Sequence, residues 1–420
     1  MQRLTPVSSR EREVFMDVLR GFAILGIFIA NLNGFSWYSE GTGISSPYLL
    51  PEWDHKVLFL EHMFIEGKFY SIFSLLFGWG IALQFKRAAE KGIDGLPTVR
   101  RRLAFMLLLG ALHLMIWPGD IVFFYALLGF VLLPLRKLSN KAMLICGAIL
   151  ILSPILLYAA KSHWLWMNAP AGIMYDTAAK MDAKILHTTL NGEQDIAAFL
   201  SKASWWEALK ANISGFFYRY GYLFFVSRIP KVLGMFLIGY ALGRSDFYKN
   251  IRYHKKTVYI VITAGLIVGL PANYFLARYM TYFMGDYWQL KTNGLYQTIA
   301  YAFGVVPLAL VYVASLMLAF QAAIGKKILS VFAPVGKMAF SNYIFQTLVG
   351  SFVFLGAGLG YIGKVGPVCY TVFGIAVFIV QIIGSHIWLN AFNYGPIEWL
   401  WRSATYKKWQ PMRRKVAVDY

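Results

Sequence analysis

Between residues 18 and 390 the chain is a succession of apolar runs separated by polar stretches, of which 37–56 and 161–228 are long. Ten runs stand out: 18–36, 57–85, 103–118, 121–135, 142–160, 229–243, 257–275, 297–320, 331–355 and 367–390. Each is near the roughly 20 residues a helix needs to cross a hydrocarbon core. The third and fourth are joined by the very short turn "WPGD". The pattern predicts an all-α, polytopic membrane protein of about ten transmembrane helices, forming one integral domain over 1–420. The first run resembles a signal peptide, with Arg10, Arg12 and Arg20 ahead of its core. It lacks a small-x-small cleavage site and nine further runs follow, so it is expected to be retained.

Composition strengthens this reading. The 420 residues are 58% hydrophobic and only 14% charged, where soluble domains sit near about 25% charged. A formal net charge of +20 would suggest nucleic acid in a soluble protein. In a membrane protein it marks cytoplasmic loops and contact with anionic headgroups, so a bilayer and no nucleic acid is the expected partner. The basic clusters at Arg3–Arg20, Lys86–Arg102, Arg136–Lys141, Arg244–Lys256, Lys326–Lys327 and Arg402–Lys415 fall on one side if both termini are cytoplasmic. That places the chain in the plasma (inner) membrane as a multi-pass protein. Segments 37–56 and 161–228 become extracytoplasmic and 403–420 a basic cytoplasmic tail. The stretch closing 161–228, "WWEALKANISGFFYRYGYLFFVSR", is expected as an interfacial or re-entrant helix with aromatic anchors. Cys146 and Cys369 lie inside apolar runs and predict no disulfide.

Ionisable residues inside these runs carry the candidate chemistry, because each costs roughly 2.5–3.5 kcal/mol at a helix centre. "GALHLMIWPGDIVFFYALLG" contains His113 near the end of one span and Asp120 at the start of the next. The hairpin predicts a base and its orienter, with Tyr125 further along the same helix. A helix-capping Asp and a packed His explain the same spacing. "EWDHKVLFLEHMFIEGKFY" spaces His55, His62 and Glu66 by seven and four, one helical face if the helix starts by Asp54. A polar cleft opening outward is the expectation there, and no metal, since the signature metal motifs are absent. Arg100, Arg101 and Arg102, with Lys86 and Arg87 opposite, read either as positive-inside topology or as a cradle for a phosphate-bearing cofactor.

The segments "DVLRGFAILGIFIANLN", "GKFYSIFSLLFGWGIALQ", "RRLAFMLLLGALHLMIWPGDIVFFYALLG", "GKMAFSNYIFQTL" and "YGPIEWLWRSATY" together resemble the YeiB-like membrane proteins, a family labelled as a domain of unknown function. The match covers nearly the whole chain in order. The Arg20-Gly21-x-Ala23 pattern is also similar to the first helix of the transmembrane acyltransferase superfamily. That group includes the lysosomal heparan-glucosaminide N-acetyltransferase and bacterial O-acyltransferases of surface polysaccharides. The resemblance implies acyl-CoA, with acetyl-CoA foremost, as a cytoplasmic donor, an acceptor on the far side, and a membrane-embedded histidine as the chemical centre. Where the O-acyltransferases carry that histidine, eleven residues after the arginine, this chain has Asn31, as the heparan branch does. The histidine is therefore open: the YeiB-like pattern points to His113 with Asp120, the heparan pattern to His55 or His62. The resemblance further marks Lys68, and Glu398 with Arg402, which fall at a cofactor entrance or in a structural role.

The expected reaction moves an acyl group from CoA held by Arg20, Lys68, Arg100, Arg101 and Arg102 to a sugar or other small polar acceptor. Asn31, Glu66 and Tyr125 are the expected substrate contacts, and a homo-oligomer is compatible with everything above. The rival from another class is a transporter of a small polar or anionic solute, since ionisable residues around a midplane cavity are equally expected there. Paired halves with matching helix breaks, which transporters often show, are not visible in the sequence.

Overall fold

A computed structural model describes residues 13–38, 45–187 and 193–414. The basic residues Arg3, Arg10, Arg12 and Lys415, part of the 37–56 segment and the end of the C-terminal tail lie outside the described residues.

Among the described residues the fold is all-helical. In order the helices are α1 (Val14–Ser36), α2 (Pro51–Phe64), α3 (Lys68–Glu90), α4 (Leu96–Ile116), α5 (Val122–Leu135) and α6 (Asn140–His163). Then come α7 (Ala169–Ile185), α8 (Glu193–Leu200), α9 (Trp205–Phe225), α10 (Arg228–Arg244), α11 (Lys255–Tyr282) and α12 (Met284–Trp288). The last six are α13 (Thr292–Ala319), α14 (Ala323–Leu329), α15 (Ala333–Lys337), α16 (Ala339–Phe354), α17 (Pro367–Ala391) and α18 (Pro396–Tyr406). Starts follow local chemistry. Prolines open α2, α7, α17 and α18, where the missing N–H is not needed. Ser139 caps α6 by accepting from the Ala142 amide, and Ser204 with Glu207 forms a capping box on α9.

Five helices, α1, α6, α11, α13 and α17, are long and apolar enough to cross a bilayer. The count rises to seven if two bent pairs each act as one span. The apolar side chains of α6, α11 and α17 point largely outward, Leu156 and Ile267 among them, as lipid contact requires. This is a multi-pass membrane protein. α1 is wrapped by α3, α15, α16 and α17 and carries a fully buried row that includes Phe15, Leu19, Ala23 and Phe28. α3 and α10 pack closely, because a Cβ at Gly78 would overlap the Phe236 carbonyl and one at Gly239 the Leu75 carbonyl. Small residues let helix backbones approach in this way where burial alone supplies little drive.

Two of the expected runs are not continuous helices, and a third break stands just ahead of the 229–243 run, which is itself continuous as α10. The 57–85 run breaks at Ile65–Gly67, where Gly67 takes φ +80°, a conformation glycine adopts without strain. α9 meets α10 at 73°, through Ser227 at φ +50°. The stretch before Met338 meets α16 at 75°, which splits the 331–355 run. Because α2 ends at Phe64, Glu66 lies beyond it, and the expectation that His55, His62 and Glu66 share one helical face is overturned.

Candidate functional site

α4 and α5 form the hairpin anticipated from "WPGD", and it brings His113 and Asp120 together. His113 Nδ1 lies 2.7 Å from Asp120 Oδ2, and both side chains are essentially inaccessible. The other carboxylate oxygen accepts the Phe123 backbone N–H at 2.6 Å, in the first turn of α5. One carboxylate therefore caps a helix and orients a histidine, so the two roles that spacing left as alternatives coexist. A carboxylate oxygen accepts, so Nδ1 is assigned as the donor, which leaves Nε2 as the acceptor in a neutral ring. Nε2 meets the Thr347 hydroxyl of α16 at 2.9 Å, and the Tyr343 ring packs on the imidazole with centroids 4.9 Å apart. A ring nitrogen that accepts from a hydroxyl, held by a carboxylate behind it, is the arrangement general-base chemistry needs.

Below this pair a cavity of about 230 Å³ runs between α1, α3, α4, α16 and α18. Its upper end is lined by Ile121, Val122 and Tyr343, the chain neighbours and ring partner of the Asp120–His113 pair. Its walls are apolar, with Ile24, Ile27, Leu76, Phe77 and Met106 among them. Its lower end carries Arg20, Arg87, Arg102, Lys337 and Arg402. Arg20 pairs with Asp17 at 2.8 Å, and the Arg102 guanidinium lies 4.4 Å from the Trp401 ring centroid. Glu398, also on the cavity wall, accepts from the Phe340 and Ser341 amides at 2.6 and 3.1 Å and from the Ser341 hydroxyl. It is thereby the anionic cap of α16, which favours its start through both hydrogen bonds and helix dipole.

The remaining sequence-derived candidates are dispersed. Arg100 is exposed, and Arg101 is turned to the Thr405 carbonyl at 3.1 Å; of the three arginines only Arg102 lines the cavity. Lys68 is fully buried with its ammonium on the His62 carbonyl at 2.9 Å, a cation closing the C-terminus of α2. Nineteen residues separate it from Arg87 on α3, about 28 Å at 1.5 Å per residue, so it does not join the cationic end of the cavity. His55 pairs with the Tyr282 hydroxyl at 2.9 Å beside an open crevice that also takes in Lys56 and Arg278. His62 is half-buried, and Asn31 sits on α1 outside the cavity lining. The Tyr125 hydroxyl is bound to the Ser74 hydroxyl and to the Tyr70 carbonyl at 2.9 Å, inside the helix packing. Glu66 lies 3.9 Å from Arg228. No group of three or more His, Cys, Asp or Glu side chains converges as a metal site among the described residues.

The chain aligns with an uncharacterized protein, YxaH, of Bacillus subtilis at 34% identity over 428 residues, covering all of both chains. The chain belongs to the DUF418 family. The family's profile, a protein of unknown function, matches residues 242–408 directly. Two further relatives align at 27%: the uncharacterized protein YeiB of Escherichia coli, over 97% of this chain and all of its own length, and an uncharacterized 39.9 kDa protein of Bacillus acidopullulyticus, over 99% of this chain. No solved structure matches the chain. The profile's span takes in Tyr343, Thr347, Glu398 and Arg402 of this DUF418 member, while His113 and Asp120 precede it.

Thr347 was not singled out from sequence, and nothing in "YIFQTL" sets it apart from an ordinary intrahelical threonine. For Arg219, Arg228 and Lys231 the sequence does carry a signal, three cations within the aromatic run "YRYGYLFFVSRIPK".

Proposed function

We propose that the protein is a membrane-embedded acyltransferase that passes an acyl group from acyl-CoA to an acceptor arriving at the opposite side. One observation carries this reading: a single cavity leads from five cationic side chains, through apolar walls, to the residues that flank and pack on the His113–Asp120 pair. Guanidinium groups suit the phosphates of CoA, and a narrow apolar channel suits its pantetheine arm. Arg20, Arg87, Arg102, Lys337 and Arg402 are the proposed phosphate ligands. The acceptor hydroxyl or amine takes the place of the Thr347 hydroxyl at His113 Nε2. His113 removes its proton as it attacks the thioester carbonyl, the C–S bond breaks, and the proton passes to the departing thiolate. Asp120 holds the tautomer throughout.

The same reading assigns the cationic end to the cytoplasm, with both termini there, ten spans in all, and the plasma membrane as location. Acyl-CoA is a cytoplasmic metabolite, and the basic clusters at the ends of α3, α5 and α10 accord with the positive-inside rule. The two helix breaks favour a second reading, a transporter, because interrupted helices often build transport sites.

The test is the thermal stability of the purified protein with and without CoA and acetyl-CoA. A ligand at 100 times its Kd stabilises by about 2.7 kcal/mol. The expected result is a saturable shift that Arg20→Gln combined with Arg102→Gln abolishes. No shift with any CoA species overturns the acyltransferase reading in favour of transport.

A further inference from the structure

Where α9 breaks into α10, buried cations gather without enough anions to balance them. Arg228 and Lys231 stand in the first turns of α10, a 17-residue helix with no acidic residue in its first turn, so they face the positive end of its dipole. The Arg228 side chain donates to the Tyr301 and Tyr222 hydroxyls at 3.2 and 3.0 Å and lies over the Tyr70 ring at 4.4 Å, while its Nε is buried with no acceptor. Lys231 is 7% exposed; its ammonium rests on the face of Tyr301 at 4.0 Å and meets no hydrogen-bond acceptor among the described residues. Arg219, on the last turns of α9, contacts the Tyr222 ring at 5.6 Å, and its buried Nε also lacks an acceptor. Lys161 completes the surroundings, with its ammonium on the Phe224 and Phe225 carbonyls at 2.7 and 2.8 Å. Against these stand Glu66, at the long distance of 3.9 Å from Arg228, and Asp120, which Arg219 senses electrostatically but which is already committed to His113.

An excess of cations at this depth, aimed at the start of a helix and left short of acceptors, is what a bound anion would satisfy. We propose that the α9–α10 break is an oxyanion site for a phosphate group, formed by Arg219, Arg228 and Lys231, and that it holds the acceptor for acyl transfer. The second half rests on the acyltransferase reading; the site itself does not. A phosphate monoester carries about −1.5 to −2 charges, the scale of the imbalance, and guanidinium forks match its geometry. Tyr70, Tyr222 and Tyr301 keep the like charges apart while leaving their donors available. None of the three cations lines the CoA cavity, so a phosphate held here leaves that cavity to the donor.

The experiment uses the full chain in neutral detergent and titrates inorganic phosphate against sodium chloride of equal ionic strength, reading Tm. A saturable rise with phosphate alone is expected in the wild type and is lost in Lys231→Met and in Arg219→Gln. Lys231→Met keeps the side chain's length and removes a buried charge, so it is expected to fold at least as stably as the wild type. No saturable rise, or an undiminished rise in both variants, overturns the site. Native mass spectrometry separates the sources. An anionic phospholipid retained by the wild type and lost from Lys231→Met assigns the phosphate to a lipid headgroup. A lipid-free protein that still responds to phosphate assigns it to a soluble acceptor. Both variants are expected to keep the wild-type response to acetyl-CoA. Loss of that response in the wild type, with the phosphate response intact, removes acyl transfer and leaves the site standing.

Discussion

Asp120 serves two masters, and substitution can tell them apart. Asparagine caps a helix almost as well as aspartate, yet it brings no charge to stabilise a protonated imidazole. Asp120→Asn is therefore expected to keep the wild-type Tm within a degree or two's worth of stability, under about 1 kcal/mol, while acetyl transfer from acetyl-CoA falls with that of His113→Ala. General-base catalysis contributes about 10²–10⁴-fold, so His113→Ala should lose that much turnover. Retained turnover in a folded His113→Ala protein would sink its role. Thr347→Val removes one neutral hydrogen bond, worth about 1 kcal/mol, and should cost no more than roughly tenfold. If Thr347→Val is as inactive as His113→Ala, the hydroxyl takes part in the chemistry rather than holding the ring.

Among the elements, the interface of α3 with α10 joins the two proposed sites, since α3 lines the cavity and α10 carries the cationic break. Its closeness depends on Gly78 and Gly239, which abut carbonyls of the facing helix. Gly239→Leu forces the pair apart, and overpacking of this kind costs about 1–3 kcal/mol or more. The expected readout is a lower Tm and a smaller monodisperse fraction on size exclusion, with the acetyl-CoA shift weakened in the protein that survives. An unchanged Tm would show that the helices already have room. The breaks at Gly67 and Met338 lie beyond the reach of apolar periodicity, because a hydropathy run records burial in lipid or protein but not a change of direction within it, whereas the break at Ser227 falls just ahead of the expected 229–243 run. Gly67 alone left a hint, as a glycine amid charged neighbours.

For the whole molecule, the orientation proposed above has a direct test. A green fluorescent protein fused after the C-terminus should fluoresce and alkaline phosphatase fused there should stay inactive. A cysteine at Ser46, placed in a variant lacking Cys146 and Cys369, should react with a membrane-impermeant maleimide from outside. The opposite pattern would put the cationic end of the cavity outside and make cytoplasmic acyl-CoA untenable as donor.

From sequence alone the class of molecule was already decided: low charge, long apolar runs and a basic excess leave little besides a multi-pass helical membrane protein. The His113–Asp120 pair was legible as one of the open alternatives, because a four-residue turn sets its flanking helices side by side. Tertiary structure decided the rest. It took Arg102 from three adjacent arginines, set it beside Arg20, Arg87 and Arg402 from three other helices, and moved Lys68 to the far end of α3. It supplied Thr347 from more than two hundred residues away. It also gathered the cations of the α9–α10 break. Local spacing governs what lies within a turn or two of a helix, whereas a cavity is bounded by helices whose neighbours are chosen by packing across the whole bundle.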